Sequence, residues 1–131
     1  MERLTVEDLL LVAEAVLGVP AEQLARETRL ATAAAALAAP FATARGRPRH
    51  PLLADQAAVL CARLALDRPL PRGNAAVALL AALELVERNH GVWKPPAGGQ
   101  DEIASTVERL TTGELSQDAF RAWMRACVRS R

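Results

Sequence analysis

Apolar residues recur at helical spacing along nearly the whole chain. Leu9, Val12, Ala13 and Val16 share one helix face. Thr5 stands where it can cap that helix, and Glu7 and Asp8 occupy the first turn, where acids favour the helix dipole. Gly18 and Pro20 end it. A short turn-rich piece of mixed charge (21–28) leads to an Ala-dominated helix over about 29–38, stopped by Pro40. Residues 41–51 carry Gly46, Pro48 and Pro51 without periodicity and read as a loop. Leu53, Ala57, Leu60 and Leu64 mark a helix over about 52–66. Pro69, Pro71 and Gly73 then interrupt the chain before a helix over 75–89, with Asn74 as its expected N-cap and Gly91 closing it. The first turns of that helix are apolar nearly all round, the pattern of a buried central helix. Residues 94–99 read as a flexible connector. Two last helices, about 101–111 and 117–128, are separated by Gly113, and Ser116 caps the second. There is no internal repeat or heptad seam. The pattern predicts an all-α bundle of six or seven helices around a central hydrophobic helix (about 75–90), in one domain over 1–131.

Composition narrows the kind of core. The chain is 51% hydrophobic but only 3% aromatic, with no Tyr, so Ala, Leu and Val must fill the interior. A net charge of +1 gives no overall field to attract nucleic acid or an anionic membrane. Lys94 is the only Lys among 16 basic residues, a bias that a GC-rich genome produces by itself. The arginines still cluster locally, as Arg45, Arg47 and Arg49 in one loop and Arg68 and Arg72 in another. Cys61 and Cys127 lack metal-ligand spacing and read as reduced thiols. The N-terminal stretch is broken by Glu7, Asp8 and Glu14, unlike a secretory leader. The longest near-continuous apolar run (75–83) is far short of the roughly 20 residues a bilayer requires. A soluble, cytoplasmic protein without a membrane partner is expected.

The segment 68–91, RPLPRGNAAVALLAALELVERNHG, resembles the signature of the Fic/Doc (death-on-curing) family. That signature runs His-Pro-Phe-x-Asp/Glu-Gly-Asn-Lys-Arg into a hydrophobic helix ending near Asn-Gly. Four other stretches agree in order. LTVEDLLLVAEAVLG is similar to the first helix of death-on-curing proteins, and Ala38-Ala39-Pro40-Phe41 to their Ala-Arg-Pro-Phe turn. His50-Pro51 followed by Asp55-Gln56-Ala57-Ala58 resembles their Tyr-Pro and Glu-Lys-Ala-Ala. EIASTVERLTTGELSQDAFRAW (102–123) resembles their closing helix pair. The resemblance implies a Doc-type toxin of a toxin–antitoxin system. Such a protein transfers a phosphoryl or AMP group to a hydroxyl of a protein such as elongation factor Tu.

The resemblance also implies a phosphate-handling loop, in which a helix N-terminus holds nucleotide phosphates. A carboxylate there binds Mg²⁺, a His acts as base or nucleophile, and Lys and Arg contact the phosphates. By position the His falls on Arg68, an always-protonated group that cannot serve as a base. The acid falls on Arg72, which repels a cation. The Lys and Arg fall on Ala75 and Ala76. Pro69, Gly73 and Asn74 remain. The expectation is a pseudoenzyme or binding module without catalytic residues, without a metal site and without a resident cofactor. ATP or another nucleotide is the ligand the resemblance allows, with Mg²⁺ not expected. An active transferase would need an unrecognised base and metal site, and an unrelated helical interaction domain is the third reading.

Arg68, Arg72, Gly73 and Asn74 are the candidate anion- or nucleotide-binding residues. Two arginines flank a helix N-terminus there, and Arg45, Arg47 and Arg49 are candidates to extend the patch. The alternative is that all of these arginines are solvated loop residues. His90, at the far end of the 75–89 helix, is roughly 24 Å from the loop at 1.5 Å per residue and reads as a capping or surface residue. His50 lies in the Arg-rich loop that the resemblance makes a target-docking flap, and is either a functional group or an ordinary loop residue. Asp67 is either a displaced acid beside Arg68 or a residue that caps or ends its helix. Trp93 and Trp123 are expected to anchor helix packing, or to line a groove for a partner. The partners the resemblance implies are an antitoxin-like protein, whose helix Doc-type toxins receive in a groove, and a phosphate-bearing ligand.

Overall fold

The computed structural model describes residues 1–95 and 99–130. Seven α-helices and two short antiparallel strand pairs are found among them.

Helix α1 (Val6–Leu17) begins with the expected cap, elaborated into a capping box. The Thr5 hydroxyl accepts the Asp8 N–H at 3.1 Å, and the Asp8 carboxylate accepts the Thr5 N–H at 2.8 Å. Gly18, at φ 68°, ends it in the left-handed conformation. The 21–28 stretch, expected to be turn-rich, forms helix α2 (Ala21–Glu27). At seven residues it is too brief to show periodicity. It is held by burial of Leu24 and by Glu14 of α1, whose carboxylate accepts the Ala21 N–H at 2.6 Å. Helix α3 (Leu30–Ala38) follows and passes through a 3₁₀ turn at Ala39–Phe41, with Pro40 buried.

The 41–51 loop contains a hairpin in which β1 (Thr43–Ala44) pairs with β2 (Arg47–Pro48). Its turn residues Arg45 and Gly46 both have positive φ, 54° and 76°, as a tight two-residue hairpin turn requires. Nothing in the alternation of these residues announces strands, because both are two residues long and exposed.

Helices α4 (Leu53–Asp67) and α5 (Asn74–Arg88) pack side by side at the centre. The small residues Ala57, Ala58, Ala78, Ala81 and Ala82 are buried and let the two backbones approach, and Leu60, Leu64, Val77 and Leu85 fill the core around them. Helix α5 is buried along one side only. Its remaining apolar positions, including half-exposed Leu80, face outward.

Helix α5 ends at Arg88, with Asn89 rather than Gly91 at its terminus. The Asn89 amide bonds the Leu85 carbonyl and clasps the Glu2 backbone in both directions at 2.8 Å. Gly91 instead opens strand β3 (Gly91–Trp93), which pairs with β4 (Val128–Ser130) at the end of the chain. A Cβ on Gly91 would lie 2.7 Å from Val86 and 2.8 Å from Leu53. Helix α6 (Gly99–Thr112) and helix α7 (Gln117–Cys127) complete the fold, α7 capped by Ser116 as expected. The chain turns extended at Val128, where the sequence pattern runs helix one residue further. Residues 96–98 of the expected connector lie outside the described residues.

Phe120 of α7 is fully buried and stacks on Trp123 at 5.7 Å, and Trp123 meets Trp93 edge-on at 5.8 Å. The expected packing role of both tryptophans is thus seen, with β3 docked on α7 through them. Burial pushes the Cys61 thiol up to about 12 and the Cys127 thiol up to about 11, so neither offers a thiolate near neutral pH. Among the described residues no helix is long and apolar enough to cross a membrane.

Candidate functional site

The connection from α4 to α5 is held by a residue remote in sequence. Arg29, just before α3, donates its backbone N–H to the Pro69 carbonyl at 2.9 Å. Its guanidinium bonds the carbonyls of Asp67 and Arg68, the latter at 2.6 Å. A cation on these carbonyls satisfies the last acceptors of α4 and complements the negative end of its dipole. Arg68 itself takes the left-handed conformation (φ 52°) that turns the chain out of α4. Pro69 and Leu70 are then buried, anchoring the loop from below.

Asn74 does not cap α5 as expected; it is the first helical residue, and Gly73 is the N-cap. The Asn74 side chain points back into the loop. Its Oδ1 accepts the Leu70 N–H at 2.9 Å and its Nδ2 donates to the Leu70 carbonyl at 3.0 Å, both bonds buried. Gly73 sits at φ 70°, and a Cβ there would lie 2.5 Å from Leu17 Cδ2 of α1. Its value is twofold, supplying the left-handed turn and the close approach to α1.

This bracing leaves the start of α5 open. The N–H groups of Asn74, Ala75 and Ala76 have no acceptor among the described residues, and no side chain caps them. The side chains of Arg68 and Arg72 are exposed, without an ion pair among the described residues. The loop therefore combines free backbone donors, a positive dipole end and two guanidinium groups. The donor set does not fit Mg²⁺. Arg72 is a cation, and the carboxylate of Asp67 is engaged with Arg63 at 2.9 Å.

Ala75 and Ala76, where phosphate-binding cations would be expected, line the wall of an apolar groove of about 880 Å³ between α5 and α6. Leu79, Leu83, Trp93 and Val107 continue its walls, and Glu108 is the acidic residue lining it. The outward apolar side of α5 thus forms one face of this groove. Trp93 packs on Trp123, as expected of the tryptophans, and also lines this groove.

Of the hairpin arginines, Arg49 lines a cleft that the loop does not share. Arg45 and Arg47 are exposed on the hairpin. Arg49 and His50 line a separate cleft with Arg63 of α4 and Arg121 of α7, and no residue of 68–74 lines it. The His50 imidazole is held below its ordinary value by burial first, then by the charges of Arg121 and Arg49, with Asp55 opposing. His90 is exposed in the turn after α5. The sequence pattern missed Arg29, Arg63 and Arg121. Each lies on or beside an amphipathic helix as an ordinary polar residue, and its role arises only where helices meet. Comparison of the chain with protein families, curated proteins and solved structures finds no match, so the Fic/Doc resemblance rests on the residues quoted from the sequence.

Proposed function

We propose that this chain is a Doc-like protein of the toxin family that has become a binding module, a pseudoenzyme without the family's transfer chemistry. The start of α5 holds an anionic group, and the adjoining α5–α6 groove receives an apolar segment of an antitoxin-like partner. The placement of Ala75 and Ala76 carries the proposal. At the positions the resemblance assigns to phosphate-binding cations, small apolar side chains widen a groove that Leu79, Leu83 and Trp93 extend. Such a surface suits an amphipathic helix laid into it, with anchors one turn apart. Arg68 and Arg72 supply no base and no metal ligand, and they favour an anion on electrostatic grounds alone.

Incubation with labelled ATP and a cell extract tests the chemistry. No protein should take up label. Label transfer that Arg72→Glu or Asn74→Ala abolishes overturns the proposal. Calorimetry should show any ATP binding to be indifferent to Mg²⁺, and strict Mg²⁺ dependence counts against the two-arginine site. A small protein encoded beside this chain is the partner to try. Its binding should shift the Trp93 fluorescence, and Leu79→Glu should abolish that shift.

A further inference from the structure

We propose that the cleft bounded by the hairpin, α3, α4 and α7 binds a small phosphate-bearing molecule, gripped by Arg49, Arg63 and Arg121. The cleft is open to solvent and has a volume of about 760 Å³, within the usual range for a small-molecule site. Its lining contains Arg3, Arg49, Arg63, Arg121 and His50, and no Asp or Glu. Three arginines elsewhere pair with acids, Arg88 with Asp8 at 3.0 Å, Arg125 with Asp55 at 2.7 Å and Arg109 with Glu114 at 3.7 Å. Here Arg63 alone reaches a carboxylate, that of Asp67. Arg3 lies over the Phe41 ring at 4.4 Å, and Arg49 and Arg121 make no ion pair among the described residues.

Arg49 and Arg121, brought to one cleft beside His50 without carboxylate partners among the described residues, repel one another unless an anion lies between them. Asp55, whose charge acts on His50 of this cleft, is committed to Arg125 through both carboxylate oxygens. The planar donor fork of Arg matches phosphate oxygens two at a time, and arginines from several segments suit a group with several such oxygens. Thr43 and Gln117 add neutral hydrogen-bonding groups. Ala35, Ala38, Val59 and Phe41 form an apolar side against which the body of the molecule rests. A cleft bounded by four segments favours a small molecule over a polynucleotide, which needs an extended basic stripe. The net charge of +1 points the same way. This site shares no lining residue with the start of α5, so it stands or falls independently of the proposed function.

Titration calorimetry with inorganic pyrophosphate tests it on the full chain. Arg121→Glu and Arg49→Glu should each weaken binding by roughly tenfold or more, also in an Arg68→Ala/Arg72→Ala background that lacks the anion site at the start of α5. Circular dichroism identifies which reversals remain folded, and Arg49→Glu, on the exposed hairpin, serves if Arg121→Glu does not. His50 gives a second readout. An anion among Arg49, Arg63 and Arg121 offsets their charges, so pyrophosphate should raise the His50 titration midpoint in NMR. Absence of pyrophosphate binding, indifference to both reversals, loss of binding in the Arg68/Arg72 variant or an unmoved His50 midpoint each overturns the assignment. So does a single-stranded oligonucleotide that binds far more tightly than pyrophosphate at the same salt.

Discussion

The Asp55 carboxylate and the Arg125 guanidinium, 70 residues apart, close a two-pronged ion pair, with Nε to Oδ1 at 2.7 Å and Nη2 to Oδ2 at 2.8 Å. Asp55 is buried near the start of α4, and Arg125 reaches it from the last turn of α7. The pair fixes where α7 lies against α4, and with it the position of Arg121 one turn earlier.

Removing one partner of such a pair does more harm than removing both, because a buried carboxylate is left without a counter-charge. Arg125→Leu should therefore lower the melting temperature more than the double variant Asp55→Asn/Arg125→Leu. A double variant that loses as much as the two single changes added together refutes the coupling. The Asp55 carboxyl is held below the ordinary carboxylate range, first by the Arg125 hydrogen bonds. The penalty of Arg125→Leu should accordingly shrink as acid protonates Asp55.

Asp8 predicts a separate pH window. Hydrogen bonds from Arg88 and then from the Thr5 N–H hold its carboxyl down at about 2, against an ordinary 3.8. A depressed folded-state value means stabilisation that is complete above the ordinary value and disappears as pH falls through the folded one. Wild type and Asp8→Asn should differ in melting temperature near neutral pH and converge between pH 3.8 and about 2. A constant gap across that window contradicts the assignment.

Asn74→Ala should cost about 2–4 kcal/mol in urea denaturation, since it strands the buried N–H and carbonyl of Leu70. Asn74→Asp should recover only part, because a carboxylate accepts the Leu70 N–H but repels the Leu70 carbonyl. If Asn74→Ala is neutral, the loop is held by other contacts.

Gly73→Ala meets two penalties, the left-handed backbone and the 2.5 Å approach to Leu17 Cδ2. A loss of about 1–3 kcal/mol is expected. In the Leu17→Ala background the clash is gone and only the backbone cost, about 1 kcal/mol, should remain. Equal losses in both backgrounds rule out the steric part.

Much of the helical framework was legible because helices announce themselves locally. The capping residues Thr5 and Ser116 and the spacing of Leu53, Ala57, Leu60 and Leu64 are short-range signals, and the structure places α1, α4 and α7 accordingly. Helix α2 was not legible, because it depends on Glu14 reaching Ala21 and on Leu24 finding the core. The β3–β4 pair joins residues from opposite ends of the last third of the chain, and no local alternation encodes it. Asn74 misled for a related reason. As a residue type it favours capping, but the Leu70 backbone competes for its amide and wins.

The sequence by itself determined a helical chain with an Ala-rich core. It also determined an α4–α5 loop bearing Arg68 and Arg72. Only the tertiary structure decided what surrounds those residues. It bound Arg29 to the end of α4, turned the outer face of α5 into a groove, and separated Arg49 and His50 from the loop by drawing them toward Arg63 and Arg121. Helix and cap signals act over three or four residues, whereas a site is made by side chains whose neighbours come from distant helices. Which charges meet therefore depends on how the helices pack.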